Sequence, residues 1–144
     1  MSDNVTRFPT QRKEPKPPIR GGGEAGRIVM ATHALTVLGF AIFLLLSSPW
    51  TYLGYAVGGA ALLISASKRT EGPSWAARHF EFILRTIIIG AVAWTLGGLA
   101  GMIAATIAFI VTFAVFGWVL IRSIAGLWQA FRGLAIDNPK TLLL

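Results

Sequence analysis

The sequence contains no cysteine and few charged residues. Without cysteine, the chain can form no disulfide bond, thiolate metal site or cysteine nucleophile. Charged residues make up only 13% of its 144 residues, whereas about a quarter is typical of soluble domains, and hydrophobic residues make up 54%. This composition predicts an integral membrane protein.

Recognisable catalytic motifs are missing as well. The sequence has no nucleophile elbow, phosphate-binding loop or dinucleotide fingerprint, and its two histidines have no metal-binding spacing. The net charge of +7 comes from basic residues beside apolar runs, where anionic lipid is a more natural partner than nucleic acid. We therefore expect no catalytic site, no metal, no cofactor and no nucleic-acid partner.

Long apolar runs dominate what is present. Residues 28–46 carry no formal charge, and these 19 residues at about 1.5 Å each nearly cross a hydrocarbon core of about 30 Å. Between positions 82 and 121 only Arg85 is charged, and 40 helical residues would extend about 60 Å, so this run must reverse. The glycine-rich positions 97–101 are the expected turn. Four transmembrane helices are predicted, at about residues 28–46, 51–67, 74–96 and 102–131.

The distribution of basic residues predicts the orientation. All 13 lysines and arginines lie before residue 28, between 68 and 85, or after 121, and none lies in the expected turns at 47–50 and 97–101. Because lysine and arginine collect on the cytoplasmic side, both termini and the central loop are predicted to be cytoplasmic. The fold class is therefore an all-α, multi-pass membrane protein with four transmembrane helices and short extracytoplasmic turns.

The segments outside the spans are predicted to be tails. Residues 1–27 are basic and rich in proline and glycine, which is typical of a disordered segment, and we expect this tail to be retained. The transmembrane domain is predicted to cover residues 28–132. Residues 133–144 are predicted to form a cytoplasmic C-terminal tail.

The most unusual polar residues lie at the start of the third predicted helix. Glu81 and Arg85 are four residues apart and can form an ion pair on one helical face, while His79, Phe82 and Thr86 share another stripe. One interpretation is an arginine that snorkels to the interface beside a surface partner. The other is a patch, built from Arg78, His79 and Arg85, that binds a phosphate-bearing lipid head group or an acidic partner segment. A proton relay through His79 and Glu81 is a third possibility, which the otherwise apolar spans disfavour.

Further candidates lie on the other predicted helices. Arg122 and Arg132 fall in an expected amphipathic, interfacial extension of the fourth helix, and His33 is expected to form a helix-packing hydrogen bond. The lipid- or partner-binding candidates are thus Arg78, His79, Glu81, Arg85, Arg122 and Arg132. Five glycines are candidates for close helix packing, although glycine is common in membrane helices in any case: Gly54, Gly58, Gly59, Gly97 and Gly101.

Two stretches resemble a family of small bacterial four-helix membrane proteins of unknown function, loosely grouped as Tic-twenty-like with the chloroplast inner-envelope import component. "HFEFILRT" at 79–86 matches its His-aromatic pair and Arg-Thr step, and "IRSIAGLWQAFRGLAIDNP" at 121–139 matches its last span. The chain departs from the pattern at Ile83 and Ile87, where the family often has glutamine and an aromatic residue. The resemblance, which covers about residues 28–139, implies a four-helix fold and a location in the bacterial inner membrane. The matched positions are His79, Phe80, Arg85, Thr86, Arg122, Gly126, Leu127, Gly133, Asn138 and Pro139.

Together these features favour a non-enzymatic accessory or structural subunit. We expect it to pack against the helices of a larger membrane complex and to bind anionic lipid at its cytoplasmic face. The alternative is an oligomeric transport or protein-translocation component, for which a homo-oligomer would be needed, because four mostly apolar helices enclose little polar lining. An enzyme is the third and least favoured class.

Overall fold

The chain folds into helices throughout the part that the structure describes. The computed structural model describes residues 23–45, 50–71 and 73–142. These residues form α1 (Glu24–Leu45), α2 (Thr51–Lys68), α3 (Ser74–Gly101) and α4 (Ala105–Phe131). The predicted all-helical fold is confirmed. Most of the predicted N-terminal tail, up to residue 22, and the predicted turn at 47–49 lie outside the described residues.

Three of these helices have the length and apolarity of membrane spans. They are α1, α3 and α4, with 22, 28 and 27 residues. Large apolar side chains also cover the outside of the bundle; Met102 and Ile103, for example, are 84% and 89% exposed. A soluble protein rarely presents so much contiguous apolar surface, so the chain is membrane-embedded.

The helices form an antiparallel bundle in which each packs against the next in sequence and α4 packs against α1. Glycines bring α1 and α2 into backbone contact. A Cβ atom on Gly39 would lie 2.8 Å from the backbone nitrogen of Gly58, and one on Gly54 would lie 2.8 Å from that of Phe43. Because no side chain fits at Gly39 or Gly54, these positions hold the two helices at close range.

The reversal between α3 and α4 is not where the sequence predicts it. Helix α3 continues through the glycine-rich positions to Gly101, and residues 102–104 make the turn. Gly97 and Gly101 have helical backbone, and a Cβ atom on either would overlap Val111 or Ala108 of α4. These glycines are therefore explained by the close approach of α4 and not by the conformational freedom that a turn requires.

Helix α1 also begins earlier than predicted, at Glu24 and not at Ile28. The backbone N–H groups of Gly26 and Arg27 donate to the carbonyl of Gly23, which closes the first turn. An acidic residue in this turn interacts favourably with the positive end of the helix dipole, so residues 24–27 are helical despite their polarity.

The two ends of the bundle differ in charge. We call the end formed by the start of α1, the α2–α3 connection and the end of α4 the charged end. Every charged residue that the structure describes lies on this side of the bundle, whereas residues 50–67 and 86–121 carry no charge. The opposite, uncharged end consists of the start of α2 and the α3–α4 turn.

Candidate functional site

The predicted ion pair on α3 is confirmed. The Arg85 guanidinium lies 3.0 Å from Oε1 of Glu81, and its Nε donates a hydrogen bond of 3.1 Å to the same oxygen. Both side chains are more than one-third exposed on the outer face of α3. An exposed pair of this kind contributes about 1 kcal/mol or less to stability, so its main effect is to hold Arg85 along the helix surface.

The predicted patch of Arg78, His79 and Arg85 is divided by the helix. Arg78 is exposed and Arg85 is half-buried, whereas His79 is 0% exposed and lies inside the bundle. His79, Phe82 and Thr86 are all buried, as their spacing along one stripe predicts. The two arginines are available to a head group, whereas a head group does not reach His79 in this structure.

The buried face of α3 forms part of a buried polar cluster made of His33, His79, Thr86 and Arg122. His33 and Arg122 each lie nine residues from the charged end of their helices, which places them about 13 Å inside the bundle. The ring of Phe82 separates the histidines from the arginine: its centroid is 6.3 Å from that of His33 and 4.0 Å from the Arg122 guanidinium carbon. Three helices therefore contribute to one polar site within an apolar bundle.

Hydrogen bonding determines which nitrogens of the two histidines carry protons. Nε2 of His79 is 2.9 Å from the carbonyl oxygen of Leu134, and a carbonyl only accepts, so this nitrogen donates. In the neutral ring, Nδ1 of His79 is then an acceptor, and Nε2 of His33, 3.2 Å away, donates to it. The expected helix-packing hydrogen bond of His33 is present, and it forms a directed chain from α1 to residue 134.

The chain leaves one acceptor without a partner. Nδ1 of His33 is buried and meets no hydrogen-bond donor among the described residues. The ring is held on two sides. His79 contacts it edge to face at a centroid separation of 5.5 Å, and a Cβ atom on Gly126 of α4 would overlap it. The absence of a side chain at Gly126 is thus what makes room for His33.

Arg122 lies inside the bundle and not at the interface, which corrects the sequence-based expectation. Only 1% of it is exposed. Its Nε donates a 3.1 Å hydrogen bond to the Thr86 hydroxyl, its Nη1 donates to the Thr141 carbonyl, and its guanidinium carbon is 5.1 Å from the Trp118 ring. Neutral acceptors and aromatic faces thus surround this buried guanidinium.

Residues 133–144 are predicted to form a cytoplasmic tail, of which the structure describes the part up to residue 142. The C-terminal segment, residues 132–142, folds back along the bundle. It leaves α4 at Gly133, whose positive φ of 67° suits glycine. The N–H of Leu134 donates to Gln129 and that of Gly133 to Ala130, which is the pattern of a Schellman helix end. Ile136 is then buried, and the segment returns to the level of Trp118.

Side-chain donors from two helices bind the backbone of this segment. Nε2 of His79 donates to the carbonyl of Leu134, and Nη1 of Arg122 donates to that of Thr141. Nε1 of Trp118 donates to the carbonyl of Leu142. Irregular backbone at membrane depth must have its polar groups satisfied by protein, and these bonds satisfy three of them. The segment therefore covers the buried polar cluster from the charged end.

Four buried hydroxyls, one of them that of Thr86, are bonded within their own helices. Thr32, Thr36, Ser65 and Thr86 each donate to the carbonyl four residues earlier on their own helix, at 2.7 to 2.9 Å. Their donor capacity is used within the helix, which is common for these residues in membrane spans. In addition, no group of three or more His, Asp or Glu side chains able to hold a metal ion occurs in the described part of the chain.

Arg132 and the candidate glycines complete the sequence-predicted set. Arg132 is exposed at the charged end, with its guanidinium carbon 5.7 Å from the Trp128 ring. Gly54, Gly97 and Gly101 contact neighbouring helices of the same chain. Gly58 and Gly59 have no atom within 4 Å of a built Cβ, so they border open space.

Sequence reasoning missed the interior position of Arg122 and the fold of residues 132–142. A signal for the interior position of Arg122 was present, because Arg122 shares a helical stripe with Gly126 and Ala130 at spacings of four, and small residues mark a packed face.

Comparison with known protein families, with curated proteins and with solved structures gives no match.

Proposed function

We propose that the chain is a four-span protein of the bacterial inner membrane whose charged end and termini are cytoplasmic. Helix α2 is the fourth span under this proposal. Its 18 residues extend about 27 Å, close to a hydrocarbon thickness of about 30 Å, and it packs along α1 through glycine contacts. The uneven distribution of all 13 lysines and arginines supports the cytoplasmic assignment of the charged end.

Its role under this proposal is non-enzymatic: it binds anionic lipid at the charged end and acts as an accessory subunit of a larger membrane complex. The carrying observation is the set of exposed cations around this end. Arg78, Arg132 and Lys140 are exposed, and Arg132 lies beside Trp128, an arrangement typical of an interfacial anchor. Basic residues at this level attract anionic head groups with about 1 kcal/mol each.

Lipid retention tests the first part of this proposal. The double variant Arg78→Gln/Arg132→Gln removes two exposed cations and leaves the buried polar cluster intact. After extraction from membranes containing phosphatidylglycerol, native mass spectrometry should show fewer bound anionic lipids on this variant than on the wild type. The matched control, Arg78→Lys/Arg132→Lys, keeps the charge and should retain them. Equal retention by the glutamine variant would refute head-group binding at these residues.

Outward-facing glycines support the accessory role. Gly98 on α3 and Gly117 on α4 have no atom within 4 Å of a built Cβ, so a partner helix can approach the backbone closely there. A pull-down in mild detergent tests it. The tag belongs at the N-terminus, because residues 132–142 pack against Trp118. A stoichiometric foreign membrane subunit would support the proposal, whereas a homo-oligomer without one would favour the transport alternative.

We also propose kinship with the Tic-twenty-like small membrane proteins. His79, Thr86 and Arg122, three of the matched residues, meet in the buried polar cluster, so the shared motif would encode the interior of the bundle. An experimental structure of a member of that family tests this. A returning segment after its Asn-Pro step, bound to the equivalent arginine, is the expected result, and an arginine that faces lipid would contradict the kinship.

A further inference from the structure

The four helices form two closely packed pairs, α1 with α2 and α3 with α4. In the first pair, Gly39 and Gly54 bring the two backbones into contact. In the second pair, a Cβ atom on Gly97 of α3 would overlap α4, and the Thr86 hydroxyl of α3 accepts a hydrogen bond from Arg122 of α4. Each pair is therefore joined by contacts of its own, which persist if the two pairs move apart.

An aromatic row joins the two pairs in the uncharged half of the bundle. The ring of Phe43 on α1 meets that of Tyr55 on α2 with centroids 4.9 Å apart. On its other side, Phe43 meets the Trp94 ring of α3 at 4.6 Å, edge to face. Phe43 and Trp94 carry no ionisable group, so this contact between the pairs does not depend on pH.

In the charged half, the bond between His33 of α1 and His79 of α3 joins the two pairs. The sequence has two histidines, and both take part in this bond. It requires neutral rings, because Nδ1 of His79 must accept from Nε2 of His33 while Nε2 of His79 donates to Leu134. Histidine is the side chain that ordinarily changes its charge between pH 5 and 8, so this contact between the pairs is sensitive to pH.

A further proton does not fit the bonded pair. On Nδ1 of His33 it would form an N–H group that meets no acceptor among the described residues. On Nδ1 of His79 it would meet the N–H at Nε2 of His33. If His33 then changed its tautomer in order to accept, its own proton would move to Nδ1 and again lack an acceptor. The backbone of α4 at Gly126 leaves the His33 ring little room to turn away.

The charges around the pair oppose a further proton as well. The Phe82 ring lies between the pair and Arg122; its centroid is 6.3 Å from that of His33 and 4.0 Å from the guanidinium carbon. Every other charged residue that the structure describes is exposed or partly exposed, and this includes the carboxylates of Glu24, Glu71, Glu81 and Asp137. A proton would therefore place a second positive charge near Arg122, and no described carboxylate is buried beside it to balance that charge.

We propose that the His33–His79 bond is a proton-sensitive latch: when the histidines take up a proton, the α1–α2 pair separates from the α3–α4 pair in the charged half of the bundle. The aromatic row holds the uncharged half together. The open form binds more protons than the closed form, so acid favours opening. Each ring that becomes hydrated raises the ratio of open to closed protein by up to about tenfold per pH unit below about pH 6.5. This latch is independent of the head-group binding proposed above.

Spin-label distances in the full chain test the latch. Because the chain has no cysteine, introduced cysteines label only the chosen positions. Ser67→Cys with Ile124→Cys places exposed labels on α2 and α4 in the charged half, and Leu53→Cys with Ile110→Cys is the matched control in the uncharged half. Pulsed electron spin resonance in phosphatidylcholine vesicles measures both distances at pH 7.5 and 5.0; this zwitterionic lipid keeps its charge state over that range.

A longer distance at pH 5.0 in the charged half, with no change in the control pair, is the expected result. An unchanged distance in the charged half would overturn the proposal. Equal widening in both halves would also overturn it, because the bundle would then loosen as a whole and not at the latch.

Two variants in the labelled chain identify the responding group. His33→Gln/His79→Gln removes both ionisable rings, so the distance should no longer depend on pH, whether this variant is open or closed. Glu81→Gln removes a partly exposed carboxylate on the outer face of α3 and should leave the response unchanged. A response that persists without the histidines, or that is lost with Glu81→Gln, would assign it to another group and overturn the latch. The labelled chain with both histidines tests the latch even if the double variant does not fold.

Discussion

Gly126 and His33 offer the most direct test of the buried polar cluster. A Cβ atom at position 126 would lie within 3.1 Å of the His33 nitrogens, and one of these, Nε2, makes the hydrogen bond to His79, so the ring cannot move away without disturbing that bond. Gly126→Ala should therefore displace the ring and break the His33–His79 hydrogen bond. Overpacking lowers the free energy of unfolding by about 1–3 kcal/mol, and loss of the hydrogen bond lowers it by about 1 kcal/mol. The higher helix propensity of alanine raises it by up to about 1 kcal/mol.

The net expected loss is about 1–3 kcal/mol, or roughly a 5- to 150-fold lower ratio of folded to unfolded protein. Reversible unfolding in detergent, followed by tryptophan fluorescence, measures it. Gly117→Ala on the same helix is the control, because nothing lies within 4 Å of its added carbon, and it should be neutral or slightly stabilising. A second arm combines Gly126→Ala with His33→Ala, which removes the overlap, so the two changes should be strongly non-additive. Additive effects, or equal behaviour of the two glycine variants, would refute the packing argument.

Three smaller changes test the rest of the site. Arg122→Gln should loosen residues 132–142 and so speed the exchange of their amide hydrogens, whereas Arg132→Gln, at an exposed position, should not. Equal exchange rates in the two variants would contradict the role of the buried guanidinium. Trp118→Phe keeps the aromatic bulk but removes the donor to Leu142, so it should cost about 0.5–1.5 kcal/mol in the same unfolding assay, and no loss would mean that this bond contributes nothing. Glu81→Gln removes an exposed ion pair and should change stability by less than about 1 kcal/mol; a larger loss would show that Arg85 is held in a more demanding environment than its exposure indicates.

The helices and the charged end follow from local sequence, because apolar run length and charge position are sufficient to predict them. The i, i+4 pair of Glu81 and Arg85 follows in the same way, since both partners lie on one turn of one helix. The start of α1 and the α3–α4 turn were predicted three to five residues from their observed positions. Glycine is ambiguous in such predictions: at Gly97 it could permit a turn or a close contact, and only the position of Val111 on another helix decides between them.

The interior of the bundle depends on contacts between residues far apart in sequence. His33 and His79 are 46 residues apart, and His79 and Leu134 are 55 apart, so no local pattern brings them together. The sequence of α4 alone is compatible with Arg122 at the interface and with Arg122 in the interior. Its interior position depends on two hydrogen-bond acceptors from outside α4, the Thr86 hydroxyl and the Thr141 carbonyl.

The returning C-terminal segment also divides the partners of Arg122 between two separate packing events. The Thr86 hydroxyl belongs to a neighbouring helix, whereas the Thr141 carbonyl belongs to the segment that follows α4. Arginine within a membrane helix costs about 2.5–3.5 kcal/mol on insertion scales, and packing of α4 against α3 alone supplies only the Thr86 partner. The Thr141 partner is added only where residues 132–142 lie back along the bundle.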